Sequence, residues 1–471
     1  MKKALAFAAV IMLVLLGAAG AAWVAAGRGA GPAIDILQPV TLLGAAGQLD
    51  VAVETPGGRL AALDVTLVQN GRETPLFSLA SPGAARVLQE APERLRLTRG
   101  LGKKDVPDLT PGAGRIVVRA ARLALFGLRR LESVAARDIQ VRLEPPRVTV
   151  VSTHHYVNHG GAEFVVYRVT PPEAAAGVLV GDVEFPGYPA SGVHVDGLSL
   201  TDPSLKVAFF ALLFDQDLET PIHVFARDEA GNEVKAALES RAFPKPFGRS
   251  RIEVDDRFLK RVVPEILSHA PELGAPGDDL VAAYLAINGE LRRKNADRIA
   301  ELAAKTSPEM LWRGAFQQLG NSQVQSRFAD HRTYFHRGQE IDQQVHLGFD
   351  LAVTANVPVR AANRGTVLYA DYLGIYGNTV ILDHGMGVQS LYAHLSSIGV
   401  KPGDTVDQGQ EIGRSGQTGL ASGDHLHFTM LVGGRMVSPV EWWDPHWIED
   451  RIVRKLRESG NQVLSSPQRY R

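Results

Sequence analysis

His425-Leu426-His427-Phe428, close to the C-terminal end, is the stretch whose reading decides the fold. Residues two apart on a strand point to the same side. Read as a strand, it puts His425 and His427 on one face. Leu426 and Phe428 take the other, where they can enter a core. His346-Leu347-Gly348-Phe349-Asp350 has a matching pattern: His346 and Asp350 share a face whether the segment is extended or helical. Gly348 between them permits close backbone approach. Polar groups on one face and apolar groups on the other are what a site on a rigid sheet requires.

Working outward, Gly365–Ala370, Asn378–Asp383 and Val388–His394 alternate as strands, with glycines at 385, 387, 399, 403 and 409 between them. Residues 322–449 are therefore expected to form a compact antiparallel β domain. The preceding residues, 247–321, have helical period. Leu280, Tyr284, Ile287 and Leu291 fall on one helix face, with Asp278 or Asp279 as cap, and Ile299, Leu302 and Ala303 continue the pattern. Ser307-Pro308-Glu309 has the form of a further helix start: a capping hydroxyl, a proline in the first turn, then an acid. Tyr284, Trp312 and Phe316 read as packing residues. Residues 450–471 form a basic tail, in which Ile452 and Leu456 can pack with Ile448 and Gly460 ends a short helix.

Further out, two strand-rich blocks precede the helices. In 31–145, Leu49–Glu54, Leu63–Leu67 and Ile139–Leu143 alternate, Pro56-Gly57-Gly58 and Asn70-Gly71 are turns, and Arg115–Arg130 fits either strand or helix. In 146–246, Phe164–Val169 and Val207–Phe214 read as buried strands. Asp228-Glu229-Ala230-Gly231-Asn232 resembles the late hairpin turn of bacterial immunoglobulin-like modules. The fold class is mostly β with a helical segment: tandem immunoglobulin-like sandwiches, a helical linker and an antiparallel β catalytic domain. His154, His155 and His159 cluster in the second block but read as a polar loop.

Residues 1–30 open with Lys2-Lys3 and an uncharged run from Ala4 to Gly27. A spanning helix needs about 20 apolar residues and a signal-peptide core about 7–15. The run is expected to be a single inner-membrane span, its lysines cytoplasmic and the body periplasmic; the alternative is a signal cleaved on export to the periplasm.

The chain has 471 residues, 45% apolar and 21% charged, with net charge -1 and no cysteine. That length predicts roughly three or four domains. The balanced charge argues against nucleic acid as a partner. The lack of cysteine excludes disulfides, thiolate ligands and a cysteine nucleophile.

Eight of the fourteen histidines lie between His331 and His446. Three of these histidines and one aspartate look like a zinc site with a further histidine beside it. A catalytic zinc takes N/O ligands and keeps a position for water, whose pKa it lowers. Hydrolysis also needs a group that moves protons and a donor for the developing oxyanion. His394, and whichever of His425 and His427 is not a ligand, can supply these. There is no His-Glu-x-x-His helix.

These residues carry a resemblance. Ser326-Arg327-Phe328, His346–Ala352, Pro358–Ala362 before Gly365-Thr366-Val367, Asp383-His384-Gly385, Leu391–Leu395, Val400–Val406, Gly413–Gly419 and His425–Phe428 resemble the lysostaphin-type (LytM-type) zinc metalloendopeptidases that cleave peptidoglycan. The resemblance covers about Ser326 to Trp443. It implies one zinc ion per catalytic domain, held by His346, Asp350 and His427, with His394 and His425 as the catalytic pair. It implies hydrolysis of peptide bonds in peptidoglycan stem peptides or cross-links during cell-wall remodelling. Cell-envelope protein partners would meet the sandwich domains. Asp424, and Thr429-Met430 after Phe428, depart from the family pattern and bear on substrate preference or on His425. His384 reads as structural or groove-lining; Tyr372, Tyr376 and Tyr392 read as packing or groove wall; Phe328 and Arg332 read as structural.

A different class is also open. Family members that have lost ligands are non-catalytic regulators of cell-wall amidases, but all five functional positions are present here. A cupin-type zinc barrel fits less well, because no Glu follows His425-Leu426-His427 where that pattern needs a ligand.

Overall fold

The computed structural model describes residues 2–27, 29–56, 59–274, 277 and 279–465. Gly57, Gly58, the cap candidate Asp278 and the end of the tail, 466–471, lie outside the described residues. The chain divides into two compact units, Met1–Pro146 with Arg227–Glu233, and Arg147–Ala226 with Val234–Arg471.

The first unit opens with helix α1 (Lys2–Gly27), whose described apolar side chains, among them Phe7, Leu13 and Leu16, are exposed. Among the described residues no helix is long and apolar enough to cross a membrane. A four-stranded and a five-stranded sheet follow. Leu49, Val51 and Val53 of one sheet bury against Leu63, Val65 and Leu67 of the other. The ambiguous Arg115–Arg130 segment resolves as a strand, Gly112–Ala124, because Ile116, Val118 and Ala120 enter the core with period two. Strand Arg129–Val141 pairs back along its length.

The second unit begins with a sandwich. Ala162–Thr170 and Leu205–Ala211 are its buried central pair. After strand Arg249–Glu253 come α2 (Asp256–His269), capped by Asp255, and α3 (Leu280–Ala286), capped by Asp279. α3 runs through a π-helical turn (Ile287–Leu291) into α4 (Arg292–Ala303). Leu259, Val262 and Ile266 pack with Tyr284, Ile287 and Leu291.

The helical pattern stops at Ala303. Ser307-Pro308-Glu309 does not start a helix, contrary to its local signal. Ser307 Oγ does accept from the Glu309 amide (3.1 Å), but the next amides bond carbonyls elsewhere, Met310 that of Gly192 (2.9 Å) and Leu311 that of His384 (2.8 Å), so no turn follows.

The catalytic sheet contains β1 (Gln323–Ser326), β2 (Phe349–Ala352), β3 (Gly365–Tyr372), β4 (Asn378–Gly385), β5 (Val388–Leu395), β6 (Thr405–Val406), β7 (His425–Val432) and β8 (Arg435–Val437). Its spatial order is β1-β2-β7-β5-β4-β3-β6, all antiparallel, with β8 on β7. Beside it, Arg249–Glu253, Asp330–His336 and Gln339–His346 form a three-stranded sheet. The expected fold class, mostly β with a helical segment and an antiparallel β catalytic domain, holds.

The tail is helical from α5 (Pro445–Ile448) through a π turn to α6 (Arg454–Ser465), so Gly460 does not end it. Ile452 and Leu456 are buried, and Lys455 Nζ lies 2.8 Å from the buried Glu163. Nearby, buried Glu441 accepts hydrogen bonds from Asn158 Nδ2 (2.5 Å) and the Ala162 amide (2.7 Å).

Candidate metal centre

Register brings the site together. Asp350 on β2 lies opposite His427 on β7, and Ala393 on β5 lies opposite the same His427 from the other side. His346 ends the neighbouring Gln339–His346 strand, one tight turn before β2. His346 Nε2, Asp350 Oδ1 and His427 Nδ1 form a triangle with sides of 2.9, 3.0 and 3.1 Å. All three residues are buried, and they are the one such cluster among the described residues. His154, His155 and His159 form none: His155 is buried on Ser152 Oγ and the Glu239 carbonyl, and His159 rests on Phe247.

Each corner of the triangle is fixed from behind. His346 Nδ1 lies 3.2 Å from the Arg327 carbonyl, which leaves Nε2 facing the cluster. The other oxygen of Asp350 accepts from Arg332 Nη2 at 2.8 Å, and the same nitrogen bonds Ser326 Oγ at 2.8 Å. A Cβ on Gly348 would fall 2.5 Å from the His427 ring, so only glycine leaves room for that imidazole. A tetrahedral zinc with bonds of about 2.0–2.1 Å spaces its ligand atoms roughly 3.3 Å apart, close to the triangle's size. Two imidazoles and a carboxylate also suit zinc by softness. The donor set fits the ion.

His394 and His425 stand beside the triangle with ring centres 4.9 Å apart. Each Nδ1 meets a backbone carbonyl at 2.8 Å, His394 that of Thr418 and His425 that of Gly423. Nε2 of each ring is thus left towards the groove, that of His425 lying 3.5 Å from Asp350 Oδ1. His394 sits at φ 62°, a left-handed conformation that is costly for a side chain of its size and marks a constrained position. Burial, then the neighbouring His425 and His427, hold its imidazole well below the usual histidine range. Burial also lowers His425, but the hydrogen bond and charge of Asp350 outweigh it and leave the group raised. Burial pushes the Asp350 carboxyl up, yet the charge and hydrogen bond of His346, with the bonds of His425 and His427, hold it well below the carboxylate range.

The five residues line a groove of about 700 Å³. Its opposite wall belongs to the helices, through Phe258 and Arg261 of α2, Tyr284 of α3 and Arg292 of α4. α2 is tied to the rim: Glu265 accepts from the Gly419 amide (2.9 Å) and the Tyr372 hydroxyl (3.1 Å), and His269 stacks on Tyr372 at 3.8 Å.

Sequence reasoning missed this wall and undervalued Arg332. Arg332 stands two positions after Asp330 in a paired strand, and both meet near Asp350 only through the fold. Tyr376 lines the groove, 5.6 Å from the His427 ring, whereas Tyr392 is in the core, bonded to the Ala362 amide. His384 is structural, fully buried between the Arg364 carbonyl and Ser390 Oγ. Trp312 and Phe316 pack together with Trp442, and Tyr284, expected only to pack, is also in the groove wall. Asp424 does not reach His425's ring through a bond; its Oδ2 accepts from the Asn356 amide.

The antiparallel sheet thus carries a His-Asp-His cluster that could hold a metal ion, with two further histidines beside it. Residues 344–439 match Peptidase family M23, in line with the resemblance to the lysostaphin-type (LytM-type) endopeptidases. The chain is 31% identical over 163 residues to Peptidoglycan DD-endopeptidase ShyA of Vibrio cholerae, covering 34% of each. It is 40% identical over 97 residues to DD-carboxypeptidase/endopeptidase Mpg of Neisseria meningitidis, covering 21% of this chain and 22% of that one. The chain thus spans about a third and about a fifth of these relatives' lengths. A solved structure described as a peptidase M23 from Pseudomonas aeruginosa aligns over 61% of this chain and 94% of that one, at 21% identity and TM-score 0.36.

Proposed function

We propose that this chain is a zinc metalloendopeptidase that hydrolyses peptide bonds in peptidoglycan stem peptides or cross-links. One observation carries the reading. Two imidazoles and a carboxylate converge to a metal-sized triangle, while His394 and His425 are held off it by backbone carbonyls. His346 Nε2, Asp350 Oδ1 and His427 Nδ1 would hold the ion. When bound, zinc supplies a Lewis acid and a water of lowered pKa. His394 and His425 each present Nε2 to the groove, so that one takes a proton and the other donates a hydrogen bond to the developing oxyanion. Buried surroundings strengthen both effects. The names of the two relatives support peptidoglycan as the substrate class.

We further propose that the N-terminal run places the body beyond the inner membrane; the exposed apolar side chains of α1 support it. Membrane fractionation with and without residues 1–30 tests that part.

The enzymatic reading is tested by incubating the full chain with peptidoglycan and resolving the products by mass spectrometry. Cleaved peptides should appear, and should vanish on chelation and in His346→Ala. Activity that survives both would overturn the zinc reading. Zinc binding without any cleavage, together with stimulation of an amidase, would replace it with the regulatory one.

A further inference from the structure

The helical wall carries charge that the protein itself does not neutralise. Asp350 and Asp330 are occupied by Arg332, Glu253 by Arg251, and Asp255 caps α2. Arg261 and Arg292, in contrast, have no carboxylate within ion-pair distance among the described residues. Arg261 is held in place by the carbonyls of Ala421 (2.5 Å) and Gln417 (3.3 Å) on the groove rim. Arg292 is braced by the Asn288 carbonyl at 3.0 Å. Both guanidiniums keep donors to spare, since each carries five N–H groups in a fixed fork.

A second observation points the same way. Tyr284 is 1% exposed, lines the same groove and sits close enough to Arg292 to feel its charge. A nearly buried hydroxyl beside a guanidinium that lacks an acid is a polar site with donors to offer a ligand in the groove. Both guanidiniums have donors for an acceptor in the groove, and a carboxylate is the acceptor whose geometry matches arginine.

We propose that the helical wall of the groove, through Arg261, Arg292 and Tyr284, is a subsite for a free carboxylate on the peptide that lies across the metal centre. This rests on the reading of the groove as a peptide-cleaving site and names the chemistry it selects. The metal cluster lies within residues 344–439, whereas these three residues precede that stretch. Substrate charge is therefore read by a part of the chain separate from the one that does the chemistry.

The test separates binding from cleavage. Full-length protein is kept metal-free with chelator, so that no peptide is turned over and no carboxylate binds zinc. Calorimetry then compares a cross-linked stem-peptide dimer with free carboxylates against the same dimer fully amidated. Hydrogen bonds to a charged group are worth about 1.5–3 kcal/mol, so the free acid should bind roughly 10- to 100-fold more tightly. Arg292→Gln should erase most of that preference and leave the amidated dimer's affinity alone, while Arg292→Lys should restore part of it. Arg261→Gln should act in the same direction, with circular dichroism confirming that α2 remains folded. Equal affinity for the two dimers in the wild type, or an equal loss for both in Arg292→Gln, would overturn the subsite. Cleavage by the metal-loaded protein is scored separately. Its absence alongside carboxylate-selective binding would remove the enzymatic reading and leave the subsite standing.

Discussion

Arg332 holds the one oxygen of Asp350 that the metal cluster leaves free, at 2.8 Å, while Oδ1 faces His346 and His427. The guanidinium is half-buried and also anchors on Ser326 Oγ and Asp330. It therefore sets the rotation of the carboxylate and decides which oxygen points at the ion. Partners of this kind typically contribute 10- to 100-fold in metal affinity. Arg332→Met should raise the zinc dissociation constant by roughly that factor, read by competition with a fluorescent chelator. An unchanged constant would show that Asp350 is positioned by its strand alone.

Gly348→Ala should displace the His427 ring, since the added Cβ would sit 2.5 Å from it. The neighbour is a metal-facing imidazole held between Asp350 and His346, not a flexible chain end. Overpacking of this sort costs about 1–3 kcal/mol. Metal stoichiometry by mass spectrometry and the thermal midpoint should both fall. A variant with full zinc content and wild-type melting would contradict the contact.

His394→Ala and His425→Ala should part company with the ligand variants. Each should retain zinc yet lose roughly 10²- to 10⁴-fold in turnover, the usual range for a positioned proton-transfer group. His346→Ala and His427→Ala should lose the metal as well. Zinc content and cleavage rate, measured on the same preparations, distinguish the two groups.

Glu441 gives the fold a dependence on pH. Burial pushes its carboxyl up to about 7, with Glu163 adding to the effect and the bonds from Ala162 and Asn158 opposing it. Its folded value lies above the ordinary value of 4.5, so the folded state holds the proton more tightly. The contribution is present below about pH 4.5 and is lost as pH rises to about 7. The loss should approach about 3 kcal/mol, at about 1.4 kcal/mol per pKa unit. Denaturant midpoints should fall as pH rises from 4.5 to about 7, and Glu441→Gln should flatten that slope. A slope that persists in Glu441→Gln would assign the dependence to other groups.

Much of the site was legible because strand alternation is local. His425 and His427 share a face by period two, and the apolar residues between and after them enter the core. Gly348 also carried its message, as a residue needed where another chain segment comes close. Arg332 did not, because its partner Asp350 is brought to it by the pairing of separate strands, and no local spacing encodes that. The same holds for the helical wall, which meets the groove only in three dimensions. Ser307-Pro308-Glu309 shows the converse. Its local signal was sound, and Ser307 Oγ does accept from the Glu309 amide, but the next amides are taken by carbonyls distant in sequence, those of Gly192 and His384.

The ties of Glu265 and His269 to Tyr372 and Gly419 join α2 to the end of β3 and to the loop before β7 at once. The wall is therefore referenced to the sheet at several points, like a jaw closed on its opposite number. A change that alters the wall's side chains would alter which peptides are admitted without disturbing the metal geometry. Selectivity and reactivity in this chain are thus open to independent variation.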